Sequence, residues 1–156
     1  HSFPTRRSSD LKKKFKKGEK YTIDIDYSGN PRIAKRAPWD GGWVFTTDKQ
    51  GNPWVTVAQE GDGTSLWLPS KDIWNDEPDN GVEMKIITPK DLTGVGNGKL
   101  ISKTTENDKN VFVWEVKNPI NLYNLAPVIG KFAHFSEIYN GEKGKLNCDY
   151  YVLDYN

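Results

Sequence analysis

From Tyr21 the chain alternates, with Tyr21, Ile23, Ile25 and Tyr27 on one side of an extended backbone and Thr22, Asp24 and Asp26 on the other. A period of two is the strand signal, because successive side chains of a pleated backbone point to opposite faces. Similar short runs predict strands at Trp43 to Thr47, Trp54 to Val57, Leu66 to Leu68, Val82 to Thr88, Val111 to Val116 and Asp149 to Leu153. Along Val111 to Val116 both faces are largely apolar, which predicts a strand buried in the middle of a sheet. Clusters of Gly, Asn, Pro and Asp separate the runs at the spacing of a β-sandwich, and no stretch shows a convincing helical face. Asp26 to Pro31 and Asp48 to Pro53 both read D-x-x-G-N-P. Gly and Asn supply the positive φ of a tight hairpin turn and Pro stops the ladder, so the echo reads as turn chemistry.

A length of 156 residues, 35% hydrophobic with mean hydropathy -0.75, fits one domain. The net charge of +1 hides a split. Residues 1–20 carry eight basic and two acidic side chains, an arm of +6, and leave the other 136 residues at -5. An acidic body repels phosphate backbones and anionic lipid, which argues against a nucleic-acid partner. No run approaches the roughly 20 apolar residues of a membrane helix, and there is no apolar signal core, so nothing in the sequence indicates a compartment. His1 to Leu11 is polar, aperiodic and similar to translated adaptor sequence; residues 1–16 are expected to be a non-native or disordered basic arm. On that expectation the natural start is missing and the chain is a fragment.

One cysteine, Cys148, excludes an internal disulfide framework, and two histidines, His1 and His134, give no H-E-x-x-H pair. No metal ligand set is expected within these residues. Asp72, Asp76, Glu77 and Asp79 lie close together, but Pro78 stands where a calcium loop needs an oxygen ligand, so a solvated loop is the better reading. His134, between Ala133 and Phe135, reads as a satisfied structural residue, and Gly61-Asp-Gly63 lacks the Lys and Ser/Thr of a phosphate cradle. Six tryptophans (Trp39, Trp43, Trp54, Trp67, Trp74, Trp114) suit either a core or a platform for sugar rings. Trp67, Phe112 and Trp114 are expected in the core. A carbohydrate-binding sandwich using exposed tryptophans is the alternative function.

Four segments carry a more specific likeness. Gln59-Glu60-Gly-Asp-Gly-Thr-Ser-Leu-Trp-Leu-Pro69-Ser-Lys-Asp72, followed by Asp76-Glu77-Pro78, resembles a segment of the N-terminal β-domain of the aminopeptidase N family of zinc metallopeptidases. Asn118 to Phe132 and Gly141 to Asn156 are similar to further parts of that domain, and Ala37-Pro-Trp-Asp-Gly-Gly-Trp43 resembles a subgroup common in the family's bacterial members. The likeness runs from about Lys17 to Asn156. It implies an all-β, saddle-shaped, antiparallel β-sandwich-like domain, with a catalytic domain that holds the zinc absent from this chain. The family's G-x-M-E-N and H-E-x-x-H motifs do not occur here.

By resemblance, Glu60 would bind the free α-ammonium of a peptide substrate at the mouth of the cleft. Counting back nine residues from Pro69 reaches Glu60, while Gln59 beside it offers the other register. Tyr123 and Asn124 are weaker candidates for lining the cleft. The resemblance thus implies a substrate-shaping domain that is inactive alone, whose partners are a peptide N-terminus and the absent catalytic domain, and whose parent enzyme uses zinc.

Overall fold

A computed structural model describes residues 14–59, 63–71, 73 and 75–155. Residues 1–13 of the expected basic arm therefore lie outside the described residues, as do Glu60, Asp72 and Trp74. The described chain is all-β. Nine strands, β1 (Gly42–Thr47), β2 (Pro53–Ala58), β3 (Val82–Pro89), β4 (Thr93–Val95), β5 (Lys99–Glu106), β6 (Lys109–Val116), β7 (Val128–Gly130), β8 (Ala133–Gly141) and β9 (Gly144–Val152), alternate with two 3-10 turns at Thr64–Leu66 and Leu122–Asn124. They form a sheet of order β1-β2-β7-β4, a sheet of order β3-β6-β5 and the β8-β9 hairpin, with antiparallel ladders throughout. No helix among the described residues is long and apolar enough to cross a membrane.

The expected turn chemistry appears between β1 and β2. The Asp48 carboxylate accepts the amides of Gln50 and Asn52, both at 2.8 Å, and Gly51 takes φ +82. The matching motif at Asp26 to Pro31 makes no hairpin, because the Tyr21–Tyr27 stretch before it forms no strand among the described residues. This corrects the expectation drawn from alternation. A strand needs an edge, and the outer edge of β1 pairs instead with a later segment. Trp43 donates its amide to Arg32 O at 2.7 Å, and its carbonyl accepts Ala34 N–H at 2.9 Å, a parallel bridge centred on Ile33. Gly42 permits that approach, since a Cβ there would stand 2.7 Å from Ala34 N and Arg32 O. Tyr21, Ile23, Ile25 and Tyr27 are all exposed.

Leu66 to Leu68 is likewise not a strand. Trp67 and Leu68 both donate their amides to Thr64 O, at 3.1 and 2.9 Å, so the run begins in a 3-10 turn. Trp43 to Thr47, Trp54 to Val57, Val82 to Thr88 and Val111 to Val116 fall within β1, β2, β3 and β6, and β6 is central as its two apolar faces predict. Asp149 to Leu153 overlaps the end of β9.

The two larger sheets meet around Ile86, Phe112 and Trp114, against which Met84, Val95, Leu100, Ile129 and Tyr151 pack. β4 approaches β3 closely enough that a Cβ on Gly94 would lie 2.5 Å from Ile86 Cγ2. The architecture is thus a small β-sandwich-like unit, with the base of the β8-β9 hairpin joined to its core through Tyr151, set edge-on to Trp114 at 5.8 Å.

Candidate functional site

β2 runs inward as it ends, so that Val57, Ala58 and Gln59 are buried in succession. Gln59 is a polar side chain at 8% exposure, and a buried amide is costly unless its donors and acceptor are matched. All are matched. Nε2 donates to Leu125 O at 2.8 Å and to Tyr123 O, and Oε1 accepts the Trp67 indole N–H at 2.9 Å. The side chain therefore ties the end of β2 to the Leu122–Asn124 turn and to the residue after the Thr64–Leu66 turn.

The same residue closes a loop through its backbone. Gln59 O accepts the Gly63 amide at 2.8 Å, and Gly63 has φ +80, a left-handed conformation that favours glycine. Immediately after it, the buried Thr64 hydroxyl donates to Leu122 O. Gln59 and Gly63 thus fix both ends of the span that carries Glu60, and the Glu60 expectation itself lies outside the described residues.

The opposing turn is held just as firmly. The Asn121 side chain accepts Tyr123 N–H at 2.9 Å, Leu122 N–H donates to Asp76 O at 3.1 Å, and Leu125 is 1% exposed. Asn97 reaches across to donate to Asn124 O at 3.0 Å and to accept Ala126 N–H at 2.9 Å. Tyr123, a sequence-predicted candidate, is half-buried beside Gln59 and gives its carbonyl to that residue. Asn124 is exposed. Sequence reasoning did not reach Asn97, because its role depends on a turn far along the chain.

Trp67 is half-buried rather than in the core expected for it, whereas Phe112 and Trp114 are buried. Its ring meets Trp43 edge-on at 6.0 Å and lines an apolar groove of about 680 Å³ with Tyr27, Phe45, Val55 and Ile87. Tyr27 donates its hydroxyl to Trp67 O at 3.1 Å across this groove. Trp39 is 75% exposed and Trp54 half-buried.

Two charged pairs form within the chain, one after the Thr64–Leu66 turn and one in the β8-β9 hairpin. Lys71 Nζ lies 2.9 Å from Asp76 Oδ1, and the Asp76 hydrogen bond raises the Lys71 pKa. His134 Nε2 lies 2.8 Å from Asp149 Oδ1, with its ring against Tyr151. Among the described residues no three His, Cys, Asp or Glu side chains gather as a metal site, so the chain's own described residues do not fit a zinc ion.

No family model matches the chain, and no curated protein matches it in sequence. Solved structures do. An M1 zinc metallopeptidase of Deinococcus radiodurans, in a mutant form bound to the substrate Tyr-Ser-Ala, superposes with TM-score 0.64 at 17% identity over 78% of this chain and 27% of its own. A second structure, an M1 zinc metallopeptidase from the same organism, gives TM-score 0.55 at 16% identity over 62% and 22%. The chain spans about a quarter of the length of these neighbours. At such identities the likeness is one of fold.

Proposed function

We propose that this chain is the non-catalytic N-terminal domain of a zinc aminopeptidase, and that it shapes the subsite for the substrate's first residue. The observation that carries the reading is the fold shared with an M1 zinc metallopeptidase over 78% of this chain but 27% of that one. A span of that size accounts for one domain of a larger enzyme. The zinc and its ligands belong to the part of such an enzyme that has no counterpart here. Peptides resembling Tyr-Ser-Ala, with a free N-terminus, are the substrate class.

Within this reading Glu60 supplies the anchor. A carboxylate in a partly desolvated cleft pairs with an α-ammonium far better than in water. Removing one member of such a charge pair costs about 2–5 kcal/mol. That contact measures where a peptide begins, which is what exopeptidase specificity requires. The four segments that resemble the aminopeptidase N domain support the assignment, as does the fixing of both ends of the Gln59–Gly63 span. Gln59 is committed to inward bonds, which favours Glu60 over Gln59 as the residue that meets substrate.

The test begins with the coding sequence beyond Asn156, where an H-E-x-x-H motif is expected within about 150 residues. In the longer enzyme, Glu60→Ala is then compared with wild type on free and N-acetylated peptides. Loss of the preference for the free amine supports the reading, and an unchanged preference overturns the Glu60 assignment.

A further inference from the structure

β8 and β9 form a ladder of their own, and among the described residues neither strand pairs with any other. A two-stranded hairpin is marginally stable in water, and an unpaired strand edge is a template for another chain. The register divides the side chains between two faces. Phe135, Tyr139, Leu146 and Tyr150 share one, and the first three are each more than half exposed. Lys145, Asn147 and Asp149 share the other with His134, and all three are exposed. Glu142 and Lys143 make a two-residue turn closed by Gly141 and Gly144. The pair closing such a turn exchanges hydrogen bonds, and pairs of that kind recur at every second residue. Leu146, Cys148 and Tyr150 therefore direct their backbone groups to β8, while Lys145, Asn147 and Asp149 direct theirs away from it.

We infer that this outer edge of β9 pairs antiparallel with the same edge of a second copy of the chain, about a two-fold axis through Asn147. Charge selects both the edge and the register. Lys145 stands two residues before Asn147 and Asp149 two residues after it, so the axis sets each lysine opposite the aspartate of the other copy. Lys145 makes no ion pair among the described residues, and Asp149 is held on this face by His134 at 2.8 Å. An axis through Leu146 or Cys148 would instead set Lys145 or Asp149, respectively, opposite the neutral Asn147, and one through Asp149 would set carboxylate against carboxylate. The outward positions of β8, namely His134, Ser136, Ile138 and Asn140, include no acid, so that edge has no such complement. An axis normal to the sheet also keeps the two apolar faces on one side and brings Leu146 against Cys148 of the second copy.

Sedimentation velocity of the 156-residue chain over a concentration series tests this. The wild type is expected to pass from monomer to dimer, and a chain that stays monomeric up to on the order of 1 mM overturns the inference and leaves the edge to a different protein. Lys145→Asp and Asp149→Lys each place like charges at both ends of the ladder, so each is expected to weaken the dimer about tenfold. Mixing the two variants returns opposite charges to both ends, and the mixture is expected to dimerise as tightly as wild type. Two single variants that associate like wild type, or a mixture no tighter than either alone, put the contact elsewhere and overturn the inference. Growth past the dimer would bring in the β8 edge and overturns the choice of β9. If Asp149→Lys does not fold, Asn147→Pro decides. The amide of Asn147 lies outside the β8-β9 ladder, so this change keeps the hairpin and removes the central bond between copies. Its dimer is expected to be about tenfold weaker, and association equal to wild type overturns the inference.

Discussion

Trp114 donates its indole N–H to the carbonyl of Gly94 at 3.0 Å, a hydrogen bond from β6 of one sheet to β4 of the other. Both residues are buried, so the bond lies where an unmatched polar group is expensive. The contact depends on glycine, since a Cβ at position 94 would also stand 3.2 Å from Thr88 Cγ2. Gly94→Ala is expected to overpack the junction and cost about 1–3 kcal/mol. Urea unfolding followed by tryptophan fluorescence measures it, and a midpoint equal to wild type would show that β4 can retreat without loss.

Which parts of this junction the sequence discloses has a physical basis. β6 announces itself because Phe112 and Trp114 sit on one face and Val111 and Val113 on the other, a pattern that only a buried strand tolerates. β5, Lys-Leu-Ile-Ser-Lys-Thr-Thr-Glu, carries little apolar signal; it is a strand because β6 offers it a ladder, and its side chains stay largely exposed. β4 and β7, three residues each, are shorter than the window in which alternation can be recognised. Tyr21–Tyr27 fails the other way, with a clear period but no strand paired to it among the described residues. At the site, the sequence singles out the Gln59–Gly63 segment by its likeness to a known one, and Glu60 itself lies outside the described residues. The bonds of Gln59 to Leu125 and of Asn97 to Asn124 span 66 and 27 residues, and no local pattern encodes them.

The β8-β9 hairpin carries a titrating contact. Tyr150 donates its hydroxyl to Glu137 Oε1 at 2.7 Å, and its ring stacks on Phe135 at 4.8 Å. The hydrogen bond to the carboxylate, with the repulsion between that charge and a phenolate, pushes the Tyr150 pKa up to about 12. Folding therefore favours the protonated phenol. The resulting stabilisation is fully present below the ordinary tyrosine value of 10.0 and is lost as pH rises toward about 12. Phenolate absorbance should show two tyrosines titrating late, Tyr150 and Tyr151, the latter raised by burial, and Glu137→Gln should bring Tyr150 alone back toward 10.0. An absorbance titration left unchanged by Glu137→Gln would assign the Tyr150 shift to another group.

At the β1-β2 turn the sign is reversed. Desolvation works against the Asp48 charge, but the Asn52 side chain and the amides of Asn52 and Gln50 outweigh it and hold the pKa below its usual value. The turn is thus helped by the ionised carboxylate above the unfolded-state pKa, and that help disappears as pH falls through the folded-state value. Asp48→Asn should remove this pH dependence, read as the thermal midpoint across an acid series.

Gly51 in the same turn allows a cleaner measurement. A Cβ there would touch nothing within 4 Å, yet φ is +82. Gly51→Ala is expected to cost about 1–2 kcal/mol from backbone strain alone. Equal stability by urea unfolding would mean that the turn has moved to another conformation.

Asn97 gives the last prediction, because it braces the acceptors that Gln59 uses. Its amide donates to Asn124 O and its oxygen accepts Ala126 N–H, so it grips the backbone on both sides of Leu125. Leu125 O is in turn bonded to Gln59 Nε2. Truncation to alanine strips two hydrogen bonds from a partly buried turn and is expected to cost about 1–3 kcal/mol. If the turn and the Gln59 amide form one network, the losses overlap: once Asn97→Ala has loosened Leu125, Gln59→Asn has less left to break. The double variant should then be more stable than the sum of the single effects predicts, by about 0.5 kcal/mol or more. Strict additivity in urea unfolding would show two independent braces, and amide hydrogen exchange at Gly63 would then respond to Gln59→Asn and not to Asn97→Ala.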